Sequence, residues 1–87
     1  MKYENEIREM LTKYPTIVEP VSTIKIDTDL RTVGMSSLIF ISLITDIEDK
    51  ISIEFPIDKL VMEEASSIYK LCNVIISCLR DGDKFRD

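Results

Sequence analysis

Two adjacent hydroxyls, Ser36 and Ser37, follow Gly34 and lead through Leu38 into a long amphipathic run from Ile39 to Phe55. A glycine, two serines and then a helical pattern describe a loop that tightens into a helix start. Backbone N–H groups at such a start have no intrahelical partner, and the helix dipole is positive there, so a phosphate held at that corner is stabilised. Taken alone, the pair is first of all a helix cap. Ser36 is the better cap, which leaves Ser37 as the candidate for chemistry.

The chemistry open to Ser37 is narrowed by what the chain lacks. There is no histidine, which removes Ser-His and Cys-His nucleophile pairs and most catalytic zinc sites. Lysine or carboxylate bases remain conceivable, but no acids are spaced as a paired-carboxylate site, and so small a core leaves little room for a sequestered pocket. Asp27-Thr28-Asp29 and Asp81-Gly82-Asp83 begin like calcium loops and then lack the glycine and terminal glutamate spacing of an EF-hand. No Gly-rich loop ends in Lys-Ser or Lys-Thr, so no nucleotide site is indicated. A serine without a base is a poor catalyst but a good acceptor for a group that another protein transfers.

The elements that must position Ser37 read as helices. Tyr3, Ile7, Met10, Leu11 and Tyr14 form one apolar face, predicting a first helix from about Tyr3 to Tyr14, ended by Pro15. From Pro15 to Met35 no helical period persists. This is a long connection whose Ile17, Val18, Val21, Ile24, Ile26, Leu30 and Val33 should pack against the core. A short strand over Ser22–Ile26 is the weaker alternative, because no second strand is there to pair with it. The second helix starts at Ser36 or Ser37 and buries Phe40, Leu43, Ile44, Ile47 and Ile51. Leu38, Ile41, Thr45, Glu48 and Ser52 lie on another face, and Leu38, Ile39 and Ile41 make the first turn apolar all round, as in a buried element or a patch meant for a partner. Ile51 to Phe55 reads as helix end and turn, and Pro56 to Val61 as a brief third helix. Ser66 and Ser67 cap a last helix that carries Ile68, Leu71, Cys72, Ile75, Cys78 and Leu79. Gly82 is its natural stop, with a frayed tail over 83–87. The expectation is one all-α domain spanning 1–87 with an ordered core of about 3–80.

At 87 residues the chain supports a single modest core, which suggests a monomer. Its net charge of −5 argues against a nucleic-acid partner. All of that excess lies between Ser37 and Ser66, a bias that reads as a solvated helix face or as a docking surface for basic partners. Cys72 and Cys78, six apart on one helix, would be about 9 Å apart by helical rise, too far for a disulfide. They read as small core residues, with a reducing, cytoplasmic setting expected. The N-terminal residues hold no apolar signal-peptide core, and no apolar run is long enough to cross a membrane.

Asp29-Leu30-Arg31-Thr32-Val33-Gly34-Met35-Ser36-Ser37-Leu38 resembles the attachment site of acyl and peptidyl carrier proteins, usually Leu-Gly-x-Asp-Ser-Leu. Gly34, Ser37 and Leu38 fall on its key positions without gaps. Ile47-Glu48-Asp49-Lys50, Ile53-Glu54-Phe55-Pro56 and Ser66-Ser67-Ile68 extend the similarity, which covers about Ile24 to Leu79. The resemblance implies a four-helix bundle with a short third helix. It implies that Ser37 receives 4′-phosphopantetheine from coenzyme A, flanked by Gly34, Ser36 and Leu38. The arm's thiol would carry an acyl or aminoacyl thioester. Leu38, Ile41, Thr45, Glu48 and Asp49 would form the face that partners touch. Those partners would be a phosphopantetheinyl transferase, an acyl- or aminoacyl-activating enzyme, and synthase, condensing and transferase enzymes. The chain itself would be no enzyme.

Two departures qualify the match. Ser36 stands where relatives have Asp or His, and Val33 replaces the usual Leu. In addition, Ile39 and Ser42 occupy positions that are acidic in fatty-acid carriers. The departures favour a dedicated carrier of specialised polyketide or nonribosomal-peptide type over a fatty-acid-synthesis acyl carrier. An unmodified, carrier-like docking or structural subunit is the alternative of another class.

Overall fold

The computed structural model describes residues 1–17, 20–56, 63 and 65–85, with 81–85 described as backbone. Its helices are α1 (Glu4–Leu11), α2 (Ser37–Ile51) and α3 (Ile68–Phe85), with 3₁₀ turns at Val21–Thr23 and Leu30–Val33 between the first two. No strand occurs among the described residues, so Ser22–Ile26 is not one; its first half is the 3₁₀ turn. Of the brief helix expected over Pro56 to Val61, residues 57–61 lie outside the described residues.

α1 buries Ile7, Met10 and Leu11 and places Glu4 and Glu6 in its first turn, where carboxylates oppose the dipole favourably. It is shorter at its end than the apolar pattern predicts. The N–H groups of Thr12, Lys13 and Tyr14 reach carbonyls three residues back, on Glu9, Met10 and Leu11. The last turn is thus tightened before Pro15, which cannot continue a helix. Tyr14 still belongs to the packing: its hydroxyl donates to Asp46 Oδ2 on α2 at 2.8 Å. Burial, then that carboxylate, push the phenol up to about 12.

The long connection lies against the bundle, with Ile17, Ile24, Leu30, Val33 and Met35 buried. Specific bonds hold it there. Arg8 Nη1 donates to the carbonyls of Val21 (2.7 Å) and Ile24 (2.8 Å), while its Nε pairs with Glu4 at 2.9 Å. At the other end of the connection, Leu30 N–H donates to Ser66 O and Tyr69 N–H to Ile26 O, both at 2.8 Å.

α2 buries Phe40, Leu43, Ile44 and Ile47 and ends at Ser52, which takes the left-handed conformation. α3 buries Ile68, Leu71, Cys72, Val74 and Ile75. Of the two serines expected to cap it, Ser67 does so, its Oγ accepting from Lys70 N–H at 3.1 Å. Ser66 is buried and gives its carbonyl to the loop instead. The helix also runs through Gly82 to Phe85, past its expected stop. Glycine costs a helix about 1 kcal/mol relative to alanine but does not by itself turn the chain.

Candidate functional site

The corner around Ser37 is built by the turn that precedes it. Asp29 caps the second 3₁₀ turn: its Oδ1 accepts from Arg31 N–H at 3.0 Å, and Arg31 Nη2 lies 2.7 Å from Oδ2. The guanidinium holds the Asp29 carboxyl down at about 2. Gly34 ends the turn at φ 115°, and Met35 N–H closes it onto Leu30 O at 3.0 Å. Glycine is required at this position for two reasons. Its φ lies in the left-handed region that L side chains disfavour. A Cβ there would also stand 1.9 Å from the Thr16 carbonyl oxygen and 2.8 Å from its carbon. The end of the α1 exit therefore rests directly on the backbone that launches α2.

Ser36 and Ser37 have separate roles. Ser36 is extended (φ −99°, ψ 170°), and its Oγ accepts from Ile39 N–H at 3.3 Å while its carbonyl accepts from Phe40 N–H at 2.9 Å. It is the N-cap. Ser37 is the first helical residue, is exposed, and its hydroxyl makes no hydrogen bond among the described residues. No acid lies in the first turn of α2. A phosphodiester on Ser37 would thus meet the positive end of a fifteen-residue helix with no carboxylate in that turn to oppose it. The residues present fit such a group.

Below this corner α2 offers an apolar outer face. Leu38 is 78% exposed and Ile41 62%, large values for such side chains, and Thr45 and Asp49 are exposed on the same side. Glu48 differs from the expected solvent-facing acid. It is half-buried, and its Oε2 accepts from Phe55 N–H at 2.9 Å, fixing the chain's exit from α2. Beside this face runs an open groove of about 310 Å³ lined by Phe40, Ile41, Ile44, Thr45 and Glu48.

Thr16 was not legible as part of the corner, because it contributes a main-chain carbonyl and no side-chain pattern marks that. Phe40 and Ile44 read as plain core residues. Their apolar spacing signals burial but not that one flank of each borders a groove. Cys72 is fully buried and burial pushes its thiol up to about 11, as suits an inert core residue. The Cys78 sulfur lies 3.6 Å from Glu54 O. Among the described residues there is no cluster able to hold a metal, and no helix is long and apolar enough to cross a membrane.

The family model described as phosphopantetheine attachment site matches residues 5–75. An aminoacyl carrier protein from Agrobacterium fabrum is 34% identical over 76 residues, spanning 87% of this chain and 90% of its own length. Among solved structures, similarity extends to a chain in the crystal structure of an engineered Bradyrhizobium japonicum glycine:carrier protein ligase complexed with a carrier protein from Agrobacterium tumefaciens and ATP. That match has a TM-score of 0.76 at 33% identity and covers 83% of this chain and 94% of that one. This chain, helical throughout its described elements, with a serine presented at this helix start and matched over most of its length, belongs to the phosphopantetheine-attachment family of carrier proteins, whose prosthetic group is 4′-phosphopantetheine.

Proposed function

We propose that this protein is an aminoacyl carrier in which Ser37 bears the 4′-phosphopantetheine arm. The observation that carries this reading is the division of labour at the α2 start. Ser36 satisfies the cap, so Ser37 presents an exposed, uncommitted hydroxyl one residue later. In the modification the Ser37 Oγ–phosphorus bond forms as the pyrophosphate linkage of coenzyme A breaks. Adenosine bisphosphate leaves, and the serine proton passes to a base on the transferase. The chain supplies the hydroxyl and the electrostatic corner, and no catalytic group of its own. When bound, the arm supplies a thiol for thioester chemistry.

The name of the Agrobacterium relative and the ligase in the similar structure support an aminoacyl cargo, activated by an ATP-dependent amino-acid ligase. An acid-poor first turn with exposed Leu38 and Ile41 supports a dedicated partner that docks by apolar contact. On this reading Leu38, Ile41, Thr45 and Asp49 form the docking face, with Glu48 at its border. Residues 1–87 form one carrier domain of four-helix-bundle class, with its core over about 3–80.

Intact mass before and after incubation with coenzyme A and a broad-specificity phosphopantetheinyl transferase tests the assignment. The mass should rise by one phosphopantetheine. Ser37→Ala should abolish the gain and Ser36→Ala should keep it. The reverse pattern overturns the site, and no gain in the parent favours an unmodified docking subunit.

A further inference from the structure

The groove on α2 lies on the helix face that carries the serine, one turn below it. Ser37, Ile41, Ile44 and Glu48 are spaced i, i+4, i+7 and i+11, so they form one stripe along the helix. Phe40 flanks that stripe on the core side and Thr45 on the solvent side; among the described residues Phe40, Ile41, Ile44, Thr45 and Glu48 line the groove, and Ser37 stands one turn above it. Its floor is apolar, and the first carboxylate met on descending from Ser37 is Glu48.

Length matches this course. Fourteen bonds separate a serine oxygen from the sulfur of an attached arm, and an extended chain advances about 3.5 Å per three bonds, or roughly 16 Å in all. From residue 37 to residue 48 the helix rises about 16 Å. An arm laid along the stripe thus ends level with Thr45 and Glu48. Both have acceptor capacity to spare. The Glu48 Oε2 takes one bond from Phe55 N–H, which leaves Oε1. The Thr45 hydroxyl gives its proton to Ile41 O at 3.0 Å, which leaves its oxygen lone pairs.

An aminoacyl thioester differs from a simple acyl thioester by one ammonium group beside the carbonyl. On the reading that Ser37 carries the arm, we propose that the α2 groove holds it, with the cargo's α-ammonium received by Glu48 and Thr45. The carrier itself would then distinguish an aminoacyl from an acyl cargo.

The test uses the full chain carrying hydrolysis-resistant amide analogues of two cargoes, glycyl and propionyl, attached by the broad-specificity transferase. The two are nearly isosteric and differ by ammonium in place of methyl. Backbone amide chemical shifts are recorded for each. Both cargoes should shift Ile41 and Ile44 relative to the protein without an arm. The glycyl-minus-propionyl difference should concentrate at Thr45, Glu48 and Phe55. Glu48→Gln, whose amide oxygen still accepts from Phe55 N–H, should remove most of that difference, and Thr45→Val should reduce it. A difference that is absent, lies elsewhere, or persists in Glu48→Gln overturns the subsite while leaving the arm on Ser37 intact. A protein that gains no arm mass overturns the carrier reading and the subsite together.

Discussion

Gly34→Ala isolates the contact on which the Ser37 corner depends. The substitution adds one methyl, at φ 115° and 1.9 Å from the Thr16 carbonyl oxygen. Left-handed backbone costs an L residue about 1–2 kcal/mol, and an overpacked methyl that forces a backbone shift costs about 1–3 kcal/mol. The sum is about 2–5 kcal/mol, against a total stability of roughly 4–13 kcal/mol for a chain of this size. At about 4–8 °C per kcal/mol for a small domain, Tm should fall by about 8–40 °C. Thermal unfolding followed by far-UV circular dichroism measures this directly. The atom in the way is main chain, so trimming the neighbouring side chain offers no relief, and Gly34→Ala/Thr16→Ala should be no more stable than Gly34→Ala. A Tm within about 4 °C of the parent, equivalent to under about 1 kcal/mol, would refute the contact. Recovery of stability in the double variant would show that a side chain, not the carbonyl, was in the way.

Ser36→Ala should lower stability by about 1 kcal/mol through loss of the cap bond to Ile39 N–H, whereas Ser37→Ala should leave Tm nearly unchanged; parallel melts of the two variants check this. Glu48 and Asp49 are neighbours with different jobs, so Glu48→Ala should cost about 1–3 kcal/mol by stranding the part-buried Phe55 N–H, while Asp49→Lys should stay within about 0.5 kcal/mol. Equal losses in a denaturant titration would remove the structural role assigned to Glu48. The Asp29–Arg31 pair should shape the acid limb of stability. Asp29 ionises at about 2 when folded against an ordinary 3.8, so its contribution is complete above about pH 4 and is lost as pH falls through about 2. Asp29→Asn should therefore destabilise at neutral pH and flatten the pH profile between those limits. A profile unchanged in the variant would count against the pair.

Much of this protein was legible one residue at a time. The apolar stripes of α2 and α3 follow from helical periodicity, and the loop-to-helix corner follows from a glycine, two hydroxyls and an amphipathic run. Such signals are local, since each rests on backbone sterics or on which side chains one helix can turn to one face. Local reading went astray where a distant segment decided the outcome. Ser66 looks like a cap by type, yet its carbonyl is taken by Leu30 N–H and Ser67 does the capping. Glu48 looks like an exposed acid by its place on the helical wheel, yet the returning chain brings Phe55 N–H onto its carboxylate.

The presence of a capped serine pair at a helix start was thus determined by sequence alone, because capping chemistry and the helix dipole act within one turn. Tertiary structure decided why Gly34 admits no side chain and how a stripe beginning at Ser37 comes to border a groove that ends at a carboxylate. The corner rests on Thr16 and Ser66, whose carbonyls meet Gly34 and Leu30 through packing across the long connection and not through nearness along the chain.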